Sequence, residues 1–238
     1  MRKKTVVPII LVAFVLTLVG CNHETTVTQD IVDKTVAVNS FHPKDYSNKI
    51  EISSTLDFAK IYQNVDELYE DSQNVVYGKV KEIAYIDDSG AAITSYKFLI
   101  EKSYKGSLKE NDMISVLAVG GYVRLEKFIE VFGDGKFEDY SESKRNQTVI
   151  EENVMGAPLP QENEKYLLFL SDPIKDESPL PDGAYSEIGA FMGRYYDKEN
   201  ARNGNTLSRY VPKDELDFYG GGNENYSLSE FENILQKK

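Results

Sequence analysis

The chain reads as mainly β, of the α+β class, built as a small curved barrel or sandwich with one helix before it and one after it. Three observations predict this. Several segments alternate apolar and polar residues with a period of two, as strands with one buried face do. Glycines fall at the segment ends or interrupt them, where a sheet bends or turns. Stretches with helical spacing of apolar residues stand on either side of the strand-rich region.

The elements follow in order. Ser54 or Thr55 caps a first helix expected to run to about Tyr69, with Leu56, Ala59, Ile61, Val65 and Leu68 near one face. The period then changes to two. Residues 74–86 form a strand with Val76, Gly78 and Val80 on one side, and Asp87-Asp88-Ser89-Gly90 turns the chain. Residues 94–104 form the clearest strand, because Tyr96, Phe98 and Ile100 alternate with Lys97 and Glu101. After the Lys105-Gly106 turn, residues 113–119 form another strand, closed by Gly120-Gly121. Residues 122–132 also read as a strand. A polar insertion spans roughly 133–164 and carries Pro158 and Pro160 near its end.

Tyr166 to Leu170 is a continuous apolar run, which suits a strand buried on both faces. Residues 171–183 form a loop rich in Pro and Asp. Tyr185 to Tyr196 is a strand interrupted at Gly189 and Gly193, and Leu207 to Val211 adds a short one. The terminal helix starts at Ser227, which has capping-box spacing to Glu230, and Leu228, Phe231, Ile234 and Leu235 make its apolar stripe.

The amino terminus has a different character. Arg2, Lys3 and Lys4 precede an apolar stretch, Val6 to Val19, which ends in Leu18-Val19-Gly20-Cys21. A charged start and a short apolar run make a secretion signal, since a membrane span needs roughly 20 apolar residues. A transmembrane helix and a cleaved non-lipid signal are the alternatives. The Leu-Val-Gly-Cys ending resembles the lipobox of bacterial lipoproteins. That resemblance implies cleavage by signal peptidase II between Gly20 and Cys21 and a diacylglyceryl group on the Cys21 sulfur. Residues 1–20 are then a signal peptide, residues 21–53 a polar tether, and residues 54–238 one globular domain. Val36 and Val38 could add a short strand within the tether. Two acyl chains suffice for stable anchoring, at about 0.8 kcal/mol per buried methylene. The protein is expected at the cell membrane, held by lipid on the extracytoplasmic side.

Cys21 is the sole cysteine, so a lipidated chain has no thiol left for a disulfide or a zinc site. Cleavage takes the net charge from −12 to −15, because residues 1–20 hold three basic residues and no acidic ones. Such a surface repels nucleic acid, which is excluded as a partner.

No catalytic residue, metal site or cofactor is read from the chain. Its two histidines, His23 and His42, both fall in the expected tether, which leaves no base for a Ser-His-Asp triad and no ligand set for zinc. Asp87-Asp88-Ser89-Gly90 and Asp134-Gly135-Lys136 resemble calcium loops in composition but lack EF-hand spacing. Gly220-Gly221-Gly222 precedes the capped helix and reads as a connector. The 16 tyrosines, among them Tyr77, Tyr96, Tyr122, Tyr195 and Tyr196, fit half-buried sheet positions and could also stack on sugars or peptides.

The run Asn74-Val75-Val76-Tyr77-Gly78-Lys79-Val80, then Tyr96 to Gly106, then Gly120-Gly121, then Glu164-Lys165-Tyr166-Leu167-Leu168-Phe169-Leu170 looks like a group of secreted bacterial proteins with an OB-like barrel. It is also distantly similar to the netrin-like domain of metalloproteinase inhibitors. The resemblance covers roughly residues 54–196 and implies an OB-like barrel, to which the residue pattern adds a helix before it and one after it. The inhibitory mechanism does not carry over, because it needs a free, disulfide-held amino-terminal cysteine. The expected function is therefore a lipid-anchored, non-enzymatic surface protein that binds an envelope protein or a small ligand. The alternative is an envelope hydrolase using carboxylates or a Ser-Lys pair.

Overall fold

The computed structural model describes residues 41–87, 89–175, 180–200, 204–212 and 225–236, without the side chains of 199, 200, 204 and 205. The expected signal peptide, Gly20, Cys21, His23, Val36, Val38 and Gly220-Gly221-Gly222 lie outside the described residues. Eleven strands in two sheets and four α-helices make the described part mainly β, of the α+β class, as the alternating segments predict.

Five strands carry the central body: β2 (Asn74–Ile86), β3 (Ile93–Lys105), β4 (Met113–Val119), β7 (Lys165–Leu170) and β8 (Tyr185–Ser186). β2 pairs with β3, β3 with β4 and β2 with β7, all antiparallel, whereas β4 and β8 run parallel. The circuit closes on β7 through a single antiparallel bridge, Leu170 to Glu187. Two backbone bonds flank that bridge, from Ser171 N to Ser186 O at 3.0 Å and from Ile188 N to Phe169 O at 2.9 Å. A five-stranded, partly open ring is what an OB-like barrel requires.

The interrupted strand at 185–196 has a clear purpose in this geometry. Tyr185 and Ser186 lie along β4, the chain loops out through a 3₁₀ turn at Ala190–Gly193, and β9 (Arg194–Asn200) returns to pair with β7. β10 (Gly204–Arg209) and β11 (Asn225–Ser227) extend the same sheet beyond β9. β7 is buried on both faces, as its unbroken apolar run predicts. Tyr166, Leu168 and Leu170 join the barrel core with Val76, Val80, Tyr96, Phe98, Ile100 and Val116. Leu167 and Phe169 face the opposite way, into a second core capped by helices.

Those helices are α1 (Val65–Asp71) and α4 (Leu228–Leu235). α4 begins with the predicted capping box between Ser227 and Glu230, and Phe231 packs against Phe169, Tyr195 and Tyr226. α1 starts nine or ten residues later than a cap at Thr55 or Ser54 predicts. Ser54 ends a strand instead, and Asn64 is the cap, its side chain accepting from Glu67 N at 3.0 Å. Residues 55–64 run as an irregular segment held by Arg209, whose guanidinium donates to the Tyr62 and Gln63 carbonyls at 2.7 Å each.

The smaller sheet comprises β1 (Asn48–Ser54), β6 (Thr148–Val154) and β5 (Gly121–Arg124), with β1 parallel and β5 antiparallel to β6. β1 takes residues 48–53 out of the expected tether, and β6 places a strand inside the expected polar insertion. The Gly120-Gly121 corner passes the chain from one sheet to the other. Both glycines have positive φ, and a Cβ on Gly121 would lie 2.5 Å from Thr94 Oγ1. The strand expected at 122–132 is split: β5 stops at Arg124 and α2 (Leu125–Phe132) follows. α2, with α3 (Glu142–Asn146) nearby, covers the inner face of this sheet through Leu125, Phe128 and Ile129 against Val123, Phe137 and Ile150. Among the described residues, no helix is long and apolar enough to cross a membrane.

Candidate functional site

Two clusters of polar and aromatic side chains stand out, and they differ in access to solvent. The first is inside the barrel. Glu187 and Arg194, at the two ends of the loop between β8 and β9, meet with Nη1 3.2 Å from Oε1, and their side chains are 1% and 2% exposed. Tyr96 OH donates to the same Glu187 oxygen at 2.6 Å. Arg194 also donates to the Pro158 carbonyl at 2.8 Å and to Tyr196 OH at 3.2 Å, and its guanidinium lies against the Tyr166 and Tyr196 rings. Burial pushes the Glu187 carboxyl above the ordinary range, and Arg194 and Tyr96 only partly offset this. Perturbed groups of this kind often mark active sites. Here Tyr96, Tyr166 and Tyr196 surround the pair, and both charged side chains are buried among the apolar residues of this core.

The second cluster is open. The outer face of the smaller sheet is read from its register: Glu51 pairs with Glu151, and Glu151 with Tyr122, so these three side chains share one row. Ser53 and Asn153 pair in the adjacent row on the same face. Tyr122 OH donates to Glu151 Oε2 at 2.9 Å, and Lys49 Nζ reaches that oxygen at 2.6 Å and Glu51 Oε1 at 2.8 Å. Glu151 is the half-buried centre, while Lys49 and Glu51 are 47% and 67% exposed. Burial alone would raise the Glu151 carboxyl. The hydrogen bonds from Lys49 and Tyr122 outweigh that and hold it below its ordinary value. Burial, with the bond to Glu151, pushes the Tyr122 phenol up to about 12.

Aromatic rings border this row. Tyr85, at the end of β2, meets Tyr122 edge to face with centroids 4.8 Å apart, and Phe41 packs on Tyr85 at 6.3 Å. Tyr46 packs on Phe41 at 5.8 Å, and the Arg124 guanidinium covers the Phe41 ring. Arg124 is fixed in turn by a two-pronged bond to the buried Asp87, at 2.8 and 3.0 Å. Phe41, Tyr46, Tyr85 and Tyr122 all keep part of their surface in solvent.

The residues singled out in the sequence fall as follows. Tyr77, Tyr96, Tyr195 and Tyr196 are core residues, with Tyr195 and Tyr196 entering opposite cores. Of that group only Tyr122 reaches the open face. The carboxylates leading the two calcium-like loops are engaged by arginines, Asp87 by Arg124 and Asp134 by Arg145 at 3.5 Å. His42 is exposed, just ahead of the 3₁₀ turn at Pro43–Asp45. Among the described residues, no group of His, Cys, Asp and Glu is placed to hold a metal ion. Phe41, Tyr85, Lys49 and Glu151 are not distinguishable in the sequence, because only the pairing of β1, β6 and β5, with the bridge from Phe41 to Tyr85 at the end of β2, brings them together.

No protein-family model matches the chain, and no curated protein matches its sequence.

Proposed function

We propose that this protein is a lipid-anchored binding module, tethered through Cys21 on the extracytoplasmic side of the cell membrane and acting without catalysis. The observation that carries the reading is the Leu18-Val19-Gly20-Cys21 ending of a charged and apolar leader. The character of the two side-chain clusters supports it. The carboxylate raised by burial, Glu187, lies in the core, which disfavours the alternative of a carboxylate hydrolase, whose acid must touch substrate. The accessible cluster combines rings with fixed donors and acceptors, the ingredients of recognition. The partner is an envelope component, and the acidic balance of the chain argues against nucleic acid.

In-cell crosslinking tests this reading. A photo-crosslinker replacing the exposed Lys44, two residues from Tyr46 at the aromatic border of the open face, should capture a discrete envelope component, and the same group replacing Glu70 on the exposed side of α1 should not. Identical, diffuse products from both positions would refute a dedicated binding face.

A further inference from the structure

We propose that the outer face of the smaller sheet, centred on Tyr122 and Glu151, binds a neutral polyhydroxylated ligand, a glycan chain. This deepens, and rests on, the reading of the protein as a binding module. The face and such a ligand are chemically complementary. A sugar hydroxyl both donates and accepts, and the row offers both partners: Glu51 and Glu151 accept, Lys49 donates, and Ser53 and Asn153 can do either. A pyranose also has an apolar C–H face, and the Tyr85 and Tyr122 rings, packed edge to face, keep part of their apolar surface exposed beside those groups.

Other ligand classes fit worse. An anion would meet Glu51 and Glu151 on the row, with Glu162 close enough to act on Tyr85. A wholly apolar ligand would strip water from Lys49 and Glu51 without replacing their hydrogen bonds. A cationic peptide would have to displace Lys49, which already spans both carboxylates at 2.6 and 2.8 Å. The groups are also held in place before any ligand arrives, Glu151 by donors from Lys49, Tyr122 and Asn153, and Tyr122 by its contact with Tyr85. Such preorganisation lowers the entropy lost on binding.

The test is calorimetric titration of the detergent-solubilised full-length protein with chitotetraose, cellotetraose and tetralysine. We expect saturable binding of at least one tetrasaccharide and none of tetralysine. Tyr122→Ala and Glu151→Gln should each weaken the binding by roughly tenfold or more. Glu151→Gln keeps the side-chain shape, so its unchanged melting curve separates lost binding from lost fold even if Tyr122→Ala unfolds. Three results overturn the proposal: no saturation by either sugar at millimolar concentration, binding of tetralysine alone, or equal sugar affinity in Glu151→Gln. A protein that ignores the sugars yet still captures an envelope component through position 44 would lose the glycan assignment alone. Failure of both experiments would remove the binding module as well.

Discussion

Arg194 and Glu187 form an ion pair 3.2 Å apart inside a filled barrel, with neither side chain more than 2% exposed. The pair joins the two halves of one interrupted strand: Glu187 sits at the bridge that closes the ring and Arg194 opens β9. Removing one partner strands a buried charge. Arg194→Met should therefore lower the unfolding free energy by about 3–5 kcal/mol, and the double variant with Glu187→Leu should recover much of that. Urea unfolding of the single and double variants checks this, and equal losses in both would contradict it.

The pH dependence of the same pair has a definite sign. Burial raises the Glu187 carboxyl in the folded state, so between a free glutamate's value and the folded value the native chain binds more protons than the unfolded one. Stability contributed by the neutral form is full below that window and is lost as pH rises through it. Glu187→Gln should flatten this limb of the stability curve, as followed by thermal melts across the acidic range.

Helix α4 gives a graded pair of outcomes. Ser227→Ala removes the cap and should cost about 1 kcal/mol. Phe231→Ala empties a site shared by Phe169, Tyr195 and Tyr226 and should cost about 3–5 kcal/mol. Denaturant midpoints separate the two, and a larger loss from the cap than from the ring would contradict the packing described.

The Lys105-Gly106 turn tolerates no side chain. Gly106 has φ +94°, and a Cβ there would lie 2.1 Å from Asn74 Oδ1 and 2.5 Å from the Gln73 carbonyl. Gly106→Ala should lower the urea midpoint, with a loss of about 1–3 kcal/mol or more.

Strands whose pattern is local were legible before the fold was known. β2 and β4 fall where alternation places them, and the doubly buried β7 follows from an unbroken apolar run. The capping box of α4 is equally local. Elements that depend on distant partners were not legible. β1 and β6 carry Glu51, Glu151 and Glu152 among their apolar residues, and each reads as polar until their parallel pairing over some 100 residues exposes one face and buries the other. Ser54 was free to look like a helix cap because nothing local reveals that it ends β1. The helix at 125–132 did leave a trace, since Leu125, Phe128, Ile129 and Phe132 stand at helical spacing, but the preceding Tyr122 and Val123 suggest a continuing strand. The open face centred on Glu151 combines three such strands, which is why only Tyr122 of its members drew notice.

The most direct measurement is intact mass of the native protein together with its partition between membrane and soluble fractions, for the wild type and for Cys21→Ser. The wild-type chain should begin at Cys21, be heavier by a diacylglyceryl group and sediment with membranes, whereas the serine variant should keep residues 1–20 and carry no lipid. A serine variant that is cleaved and retained like the wild type, or a native Cys21 with an unmodified thiol, would contradict anchoring through Cys21.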